Sequence, residues 1–518
     1  MTRRGERGGR GRGGGGRRRG AGRDAARGPR GGPSHAHTHG EERGPRRGPS
    51  HAHGEELELR VGALDPESGE ALGRAGERLV RVAGALPDER VRVALDARGR
   101  ARLLAVLEPA AERVVPRCRH AGECGGCAWQ HLAYPAQLRE KRELVRAALR
   151  ATLDHELPVQ ETLGLEPGPA PPGEPPAGAD PRAPWGFRDK VHFTLGPGPD
   201  GLAIGHYRRG TQDLLPVEEC PVHAEAGNRL AFQAAALLRR LRVPGVDPRT
   251  LRGLARHLVV RVGEGTGQTL LTLVATAERV PRLKEWVAGL MQGPAPPTGL
   301  HLDVHAGASP LLFGARREGR KLHGRARLME ELAGTRWLVS PTAFFQTAAR
   351  GAALLVREVR ARVPAEGPVL DLFAGAGLFS LPLARRGQRV LAVEENPAAV
   401  EDGVASRDLN GIPAGTCRFV CARAEELLAR LAADQARGAP PFAAAVLDPP
   451  RDGCPPGTLE ALLQGLRPPR AVYVSCHPPA LARDLALAAR LGWRARDVQP
   501  IDMFPHTPHV ETVVTLER

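Results

Sequence analysis

The last third of the chain alternates short apolar runs with longer mixed stretches. Apolar runs lie at residues 369–373, 390–394, 443–447 and 471–475. Strands that alternate with helices pair in parallel, because each crossover helix brings the next strand alongside the previous one. Residues 361–518 are therefore predicted to form a doubly wound, Rossmann-like α/β domain, with its ligands at the carboxyl ends of the strands.

Residues 57–110 show a different pattern, in which apolar and polar positions alternate over short runs. Such runs lie at residues 57–61, 79–82 and 91–95, with glycine-containing turns between them. A period of two is typical of strands that bury one face. We predict a small all-β barrel in this region.

Residues 111–360 lie between these two regions and have a mixed character. The apolar runs at residues 191–195 and 258–262 indicate strands, and we predict a central α+β domain. Proline, glycine and alanine dominate residues 164–184, which predicts a flexible, exposed insertion.

Composition indicates the class of partner. Residues 1–56 hold fourteen arginines against six acidic residues, with almost no large apolar side chain, so a disordered basic tail is predicted. The whole chain carries a formal net charge of +16. Nucleic acid is the favoured partner, because arginines that neutralise phosphates release condensed counterions.

The sequence argues against a membrane or secreted protein. It contains no run of about 18 apolar residues, and its first residues lack the apolar stretch of a secretory signal. We expect a cytoplasmic protein, and the sequence gives no sign of an obligate protein partner. Eight cysteines in 518 residues are too few for a disulfide scaffold, and in a reducing compartment such residues more often bind metal or react.

A cofactor site is predicted where the first strand of the carboxyl-terminal domain ends. The strand enters the turn Gly375-Ala-Gly377 and then a helix, so that the backbone can approach a cofactor closely. The next strand ends at Glu394, whose carboxylate can accept hydrogen bonds from the ribose hydroxyls of an adenosine group. Ser380 stands where a dinucleotide fold would have a third glycine, so S-adenosylmethionine fits better than NAD.

Two further strands end in residues that can do chemistry. One runs into Asp448 and a pair of prolines, and the other ends at Cys476. Both side chains are expected at the carboxyl edge of the sheet, beside the cofactor. Free cysteines are more often small buried hydrophobes, an interpretation that suits Cys417, Cys421 and Cys454. Cys476 differs from them because its strand ends where ligands bind.

Four motifs resemble, in this order, those of the RNA uracil-5-methyltransferase family. They are Asp371-Leu-Phe-Ala-Gly, Asp448-Pro-Pro-Arg-Asp-Gly, Tyr473-Val-Ser-Cys and Met503-Phe-Pro-His-Thr-Pro-His-Val-Glu-Thr-Val. The resemblance extends from about residue 57 to residue 518. It implies methyl transfer from S-adenosylmethionine to C5 of a uridine in RNA.

The resemblance also implies a role for individual residues. Cofactor contacts are assigned by resemblance to Gln346, Phe373, Glu394 and Asp448. Cys476 is assigned as the nucleophile and Glu511 as the base.

These assignments agree with the chemistry of uracil. C5 is too poor a nucleophile to attack a methylsulfonium directly, so a thiolate must first add to C6. The resulting enolate takes the methyl group, and Glu511 then removes the C5 proton. The target base has to be splayed from a loop or flipped out. Amino-group methyltransferases also use Asp-Pro-Pro but usually follow it with an aromatic residue, whereas Arg451 follows here.

A second candidate site is built from cysteines. Cys118, Cys124 and Cys127 lie within ten residues of one another, and Cys220 supplies a fourth soft ligand. Four cysteines accommodate either zinc or an iron–sulfur cluster, and their spacing does not separate the two. The family resemblance implies a [4Fe-4S] cluster with a structural or RNA-binding role. A radical S-adenosylmethionine enzyme is less favoured, because the Cys-x3-Cys-x2-Cys spacing is absent.

The substrate is expected to be ribosomal RNA. Residues 57–110 resemble the TRAM domain, an OB-like RNA-binding barrel, and relatives with both barrel and cluster tend to act on large-subunit (23S) ribosomal RNA. A transfer-RNA uridine is one alternative, and an inactive RNA-binding or ribosome-assembly protein is another. Retention of Cys476, Asp448 and Glu511 together argues against the inactive protein.

The sequence departs from the family pattern at three places near the site. His477 replaces an asparagine after the nucleophile, Thr347-Ala348 replace Val-Asn, and Ala374 replaces a cysteine in the cofactor loop. These departures leave the identity of the target uridine open.

Overall fold

The computed structural model describes residues 55–96, 99–168, 173–198, 200–309, 312–314 and 319–518. The basic tail predicted for residues 1–56 lies almost entirely outside these residues. Among the described residues, no helix combines the length and the apolar character that a membrane crossing requires.

A closed β-barrel forms the first part of the described chain, as the alternating pattern predicted. Its strand order is β1-β2-β3-β5-β4, and antiparallel pairing of β1 with both β2 and β4 closes the ring. Inward-pointing Val61, Val82, Val91 and Val93 are fully buried in the barrel core. The strands are β1 (Glu55–Leu64), β2 (Ala71–Ala75), β3 (Arg78–Val82), β4 (Arg90–Leu95) and β5 (Ala101–Glu108).

The middle of the chain contains one helix and then a mixed sheet, in agreement with the predicted α+β character. Helix α1 is Tyr134–Arg150. The sheet has the order β12-β11-β10-β9-β6-β7-β8 and is covered by α2 and α3 through Leu230, Leu238 and Trp286. The elements are β6 (Lys190–Gly196), β7 (Ala203–Tyr207), β8 (Leu214–Pro216), α2 (Glu225–Arg240), β9 (Ala255–Val262), β10 (Thr269–Ala275), α3 (Leu283–Met291), β11 (Gly299–Val304) and β12 (Arg320–Gly324).

A hairpin and a helix lead into the carboxyl-terminal sheet. They are β13 (Leu328–Leu332), β14 (Thr335–Val339) and α4 (Ala349–Arg362). The remaining elements are β15 (Val369–Leu372), α5 (Ser380–Ala384), β16 (Val390–Glu394), α6 (Pro397–Leu409), β17 (Cys417–Cys421), α7 (Ala424–Ala436), β18 (Ala444–Leu447), α8 (Thr458–Glu460) with a π-helical continuation (Ala461–Leu466), β19 (Arg470–Ser475), α9 (Pro478–Arg490), β20 (Arg494–Ile501) and β21 (Glu511–Glu517).

The carboxyl-terminal sheet is doubly wound, as predicted. Its order is β17-β16-β15-β18-β19-β21-β20, with the first five strands parallel and β21 antiparallel to both of its neighbours. All four residues of β15 and of β18 are buried, because helices cover both faces of a parallel sheet. The carboxyl ends of β15, β16, β18 and β19 therefore lie at one common edge of the sheet.

Residues 134–163 complete this carboxyl-terminal unit although they lie far from it in sequence. Helix α1 packs against α9, and Val145 and Leu149 share a core with Leu481 and Trp493. Val159 forms a parallel bridge with Val498 of β20. The segment that follows the cysteine-rich region is thus packed against the carboxyl-terminal sheet.

The predicted insertion at residues 164–184 is exposed over most of its described length but is anchored at its ends. Leu165, Asp180 and Ala183 are buried. The Asp180 carboxylate accepts a hydrogen bond from the N–H of Tyr134, at 2.6 Å, where α1 begins.

The turn after β15 depends on glycine at two positions. Gly375 and Gly377 have φ of +55° and +83°, which is the left-handed region. A Cβ on Gly377 would lie 2.7 Å from the Phe419 ring, whereas a Cβ on Gly375 would meet open space. The first glycine therefore leaves room above the turn, and the second lets the turn pack on β17.

We predict that Gly377→Ala destabilises the chain more than Gly387→Ala. Both glycines have left-handed φ, +83° and +91°, but a Cβ on Gly387 meets nothing within 4 Å. The strained backbone costs about 1–2 kcal/mol at each position, and the clash with Phe419 adds about 1–3 kcal/mol at Gly377 alone. Urea unfolding of the two variants measures the difference, and equal losses would contradict the proposed contact.

Candidate active site

A cavity of about 600 Å³ opens at the carboxyl edge of the carboxyl-terminal sheet. All six side chains that the sequence indicated for cofactor binding and catalysis line it. They are Gln346, Phe373, Glu394, Asp448, Cys476 and Glu511. The volume lies within the range of about 300–1,000 Å³ that is usual for small-molecule sites.

The cofactor end of the cavity is organised around Glu394 at the end of β16. Its carboxylate accepts hydrogen bonds from the N–H groups of Gly375, at 3.0 Å, and Asn396, at 2.8 Å. Asn396 in turn caps α6 by accepting from the N–H of Ala398, at 3.0 Å. The acid is therefore held between the glycine turn and the start of the next helix. Phe373, with φ of +60°, begins that turn.

Asp371, in β15, and Ser380, at the start of α5, form a hydrogen bond that links the two elements on either side of the glycine turn. The Ser380 hydroxyl donates to the Asp371 carboxylate at 2.5 Å, and both side chains are fully buried. Burial raises the pKa of Asp371 to about 7, against the lowering effect of Ser380. The serine at the position of a third glycine thus ties the helix to the strand.

Cys476 lies directly after β19 and faces the cavity. Burial raises the pKa of its thiol to about 12, and the Glu511 and Asp448 carboxylates add to the rise. The Arg451 guanidinium acts in the opposite direction. The resting residue is therefore a thiol, and the cation beside it favours the thiolate once the carboxylates are neutralised or paired.

Glu511 begins β21 and is buried, with 5% of its surface exposed. Burial raises its pKa to about 7, while Lys141 lowers it. Burial, followed by the charges of Glu511 and Asp371, raises the pKa of Asp448 well above its usual value. Glu394, Asp448 and Glu511 line the same cavity as the Cys476 thiol, an arrangement that favours a positively charged ligand.

The four cysteines of the second candidate site line another cavity, of about 480 Å³. All four are free thiols. Burial raises the pKa of Cys220, and Cys127, Cys118 and Cys124 raise it further, so the four sulfurs are neighbours. The structure therefore gathers the cysteines that the sequence grouped.

A tighter set of possible metal ligands includes two histidines. The ligand atoms of His206, Cys220 and His223 all lie within 4.8 Å of one another. Nε2 of His206 and Nδ1 of His223 are buried without a hydrogen-bond partner. These histidines were not predicted from the sequence: His206 lies in β7, far from the cysteines in sequence, whereas His223 follows Cys220 by three residues and could have been found from that spacing.

The two cavities share a wall. Phe504 and His509 line both of them, with ring centroids 6.2 Å apart and nearly perpendicular planes. The segment at residues 502–509 therefore separates the cysteine-lined cavity from the one that holds Cys476.

The three departures from the family pattern fall where main-chain groups make the contacts. The Ala374 N–H donates to the carbonyl of Val393 at 3.0 Å, and the Thr347 carbonyl accepts from the N–H of Asp189 at 2.7 Å. The His477 N–H donates to the Ser475 hydroxyl at 3.2 Å. The main-chain groups of Ala374, Thr347 and His477 can form these hydrogen bonds whatever side chain each residue carries. The three departures from the family pattern are therefore compatible with the observed loop conformations.

Sequence reasoning missed Lys141 and Asp502, a fully buried ion pair beside Glu511. One signal was available in the composition. The chain has 74 lysines and arginines, of which four are lysines. Of these four lysines, Lys141 is the one that the structure buries completely.

Comparisons with known proteins identify relatives of this chain. The model of the tRNA (uracil-5-)-methyltransferase family matches residues 340–518, which include all six cavity residues named above. An uncharacterized RNA methyltransferase of Thermosynechococcus vestitus is 37% identical to this chain over 471 residues, which cover 89% of this chain and 98% of that protein. A similar protein of Geobacter sulfurreducens is 34% identical over 470 residues, covering 89% and 90% respectively.

A solved structure shares the fold. It is the Pyrococcus abyssi tRNA (uracil-54, C5)-methyltransferase in complex with S-adenosyl-L-homocysteine, with a TM-score of 0.68 and 24% identity. The match covers 90% of this chain and 100% of that one.

We predict slow alkylation of Cys476 in the free protein. Cys421 is exposed, whereas burial raises the pKa of Cys476 to about 12. With iodoacetamide and peptide mass spectrometry, Cys421 should react first. The rate at Cys476 should rise about tenfold per pH unit up to the highest pH the fold tolerates. A plateau in the Cys476 rate near neutral pH would contradict this account.

Proposed function

Because the chain belongs to the RNA uracil-5-methyltransferase family, we propose that Cys476 and Glu511 methylate C5 of a uridine in RNA. One observation carries the proposal. The proposed nucleophile Cys476, the proposed base Glu511 and the acid Glu394, which lie at the ends of three different strands, line the same cavity of about 600 Å³.

S-adenosylmethionine is the proposed methyl donor, and when bound it supplies an electrophilic methyl group on a cationic sulfonium. Glu394, held by two main-chain N–H groups, is placed to accept from the ribose hydroxyls. Asp448 and the open space over Gly375 suit a cationic ligand that lies close to the backbone. The bound S-adenosyl-L-homocysteine of the Pyrococcus abyssi protein, which has the same fold, supports this assignment.

The reaction starts with loss of the Cys476 proton to the neighbouring Asp448 carboxylate, which leaves Glu511 ionised for the last step. The sulfur then adds to C6 of the uracil, and the ring electrons move toward O4 as an enolate. C5 of the enolate forms a bond to the methyl group while the bond between that methyl group and the donor sulfur breaks, so that S-adenosyl-L-homocysteine is the leaving group. Arg451, which lowers the pKa of Cys476, favours the thiolate at the start and at the end of this sequence.

Glu511 completes the reaction as the base. Its pKa of about 7 means that a large fraction is ionised at neutral pH, while its basicity stays well above that of an exposed glutamate. Removal of the C5 proton lets the C6–sulfur bond break, which restores the C5–C6 double bond and the cysteine.

Large-subunit ribosomal RNA is the proposed substrate, with the barrel at residues 57–110 as a TRAM-like RNA-binding domain. The net charge of +16 and exposed Arg451 at the cavity support a polyanionic substrate. A transfer-RNA uridine is the second candidate, favoured by the names of the matching family model and of the Pyrococcus abyssi protein.

We also propose that Cys118, Cys124, Cys127 and Cys220 hold a [4Fe-4S] cluster with a structural role. Four thiolates on one zinc ion, at about 2.3 Å each, would lie about 3.8 Å apart. Within the described residues, the only group of three or more His, Cys, Asp or Glu side chains with all ligand atoms inside 4.8 Å is His206, Cys220 and His223. The wider spacing of the four cysteines favours a cluster of several irons over one ion.

Loss of the nucleophile tests the proposed reaction. Cys476→Ala should reduce methylation of RNA by labelled S-adenosylmethionine to background, while Cys421→Ala, at an exposed cysteine, should keep wild-type activity. Transcripts of 23S ribosomal RNA and of transfer RNA, tested separately, distinguish the two substrates. Methylation by Cys476→Ala at the wild-type rate would exclude the mechanism.

Loss of the base should have a different signature. Glu511→Gln should slow turnover by about 10²–10⁴-fold, because the C5 proton stays in place after methyl transfer. A covalent protein–RNA complex should then accumulate on denaturing gels. Glu517→Gln, at the other end of the same strand, is the matched control and should release product normally. No accumulation in Glu511→Gln would argue for another base.

Metal analysis tests the cysteine site without reference to activity. Protein purified without oxygen should contain about four irons per chain with acid-labile sulfide. Cys220→Ser should lose them and Cys421→Ser should retain them. Stoichiometric zinc without iron, lost in His206→Ala, would instead assign the site to the tighter His206–Cys220–His223 set.

A further inference from the structure

Lys141 of α1 and Asp502, just after β20, form an ion pair with no exposed surface on either side chain. Burying two charges costs several kcal/mol per ion, so such a pair is weak evidence for stability. A pair of apolar side chains of similar volume would often be as stable. Its location next to the active site therefore calls for another role.

The ion pair holds the peptide units on both sides of Phe504. Nζ of Lys141 donates to the Phe504 carbonyl at 3.0 Å, and the Phe504 N–H donates to the Asp502 carboxylate at 2.9 Å. Phe504 is one of the residues that line the catalytic cavity. Its position against the substrate is therefore set by one lysine and one aspartate.

The ammonium group of Lys141 also faces the proposed base. Burial lowers the pKa of Lys141, and Asp502 and Glu511 are the two carboxylates that oppose this by favouring its charged form. Tyr134 lies beside Asp502. Burial lowers the pKa of His506 and of His509, and Lys141 lowers both further.

On the cavity side, Glu511 faces Asp448 and Cys476, which become negative when they ionise. Arg451 and His509 are the other ionisable groups of the cavity on this side. Lys141 is thus the buried cation behind an otherwise acidic cluster.

We propose that Lys141 is a positioning residue for methyl transfer, which fixes Phe504 through Asp502 and keeps Glu511 ionised from behind the strand. This inference rests on the proposed function, since it assigns Lys141 to the same reaction. Lysine suits the position because its compact ammonium can donate to Asp502 and to the Phe504 carbonyl from one atom.

The charge of Lys141 has a defined effect on the pH dependence. Burial raises the pKa of Glu511 to about 7 and Lys141 lowers it. The base is active when ionised, so turnover falls on the acidic side as Glu511, coupled to Asp448, takes up a proton. Removal of the lysine charge raises this pKa and moves the acidic limb to higher pH. Removal of the Asp502 charge leaves Glu511 as the remaining carboxylate that acts on Lys141. The pKa of Glu511 then falls, and the acidic limb of the pH profile moves to lower pH.

The test compares Lys141→Met with Asp502→Asn in pH profiles of kcat for RNA methylation. We expect shifts of about one pH unit in opposite directions, upward for Lys141→Met and downward for Asp502→Asn. Lys284→Met, at an exposed lysine, should leave the profile unchanged. A purely structural ion pair would move both profiles in the same direction or neither, and either result would overturn the inference.

A wild-type control and the second variant separate failure of this inference from failure of the proposed function. Wild-type protein that does not methylate RNA, or does so without Cys476, would count against the proposed function and not against Lys141 specifically. If Lys141→Met is not recovered folded, Asp502→Asn decides alone, because its amide oxygen can still accept from the Phe504 N–H. A downward shift then supports the inference, and an upward shift or none overturns it.

Discussion

The hydrogen bonds that tie residues 502–509 to the segment after the third cysteine hold the active site together. The His506 N–H donates to the Gln137 side chain at 2.7 Å, and the His506 carbonyl accepts from the N–H groups of Ala128 and Trp129, both at 2.9 Å. Gln137 also donates to the carbonyl of Leu132 at 2.8 Å. Since β21 begins at Glu511, two residues after this segment, the position of Glu511, the proposed base, depends on contacts with the amino-terminal half of the chain. The same segment lies between the two cavities, because Phe504 and His509 line both of them.

The second constraint is electrostatic. Burial raises the pKa of Cys476 to about 12 and that of Glu511 to about 7, and Asp448 is raised as well. A cavity with this character resists ionisation when empty. A cationic methyl donor would relieve the repulsion among the acids, and the thiol would then lose its proton more readily. Activation of the nucleophile would in this way depend on the bound donor, which limits side reactions of a free thiolate.

The sequence predicted those parts of the site that depend on local pattern. Strand-ending residues such as Glu394, Asp448 and Cys476 could be placed at one edge because parallel strands share an edge, and the glycine turn identified the cofactor end. Glu511 was assigned by resemblance alone, since an acid at the start of a terminal strand looks exposed, whereas it is buried. Lys141 and Asp502 are 361 residues apart, and no periodicity relates them. His206 was missed for the same reason, because only the folded sheet brings β7 beside the loop that carries Cys220. His223 lies three residues after Cys220, so its Cys-x2-His spacing was a local signal that could have identified it.

The central claim is that the sulfur of Cys476 bonds to C6 of a uracil in the presence of the methyl donor. The most direct measurement uses RNA in which 5-fluorouracil replaces uracil, because a fluorine at C5 cannot leave as a proton and the intermediate is trapped. Digestion of the wild-type complex followed by mass spectrometry should yield a peptide in which Cys476 carries a methylated 5-fluorouridine nucleotide. Absence of an adduct despite demonstrated binding of RNA and S-adenosylmethionine, or an adduct on another cysteine, would contradict the account.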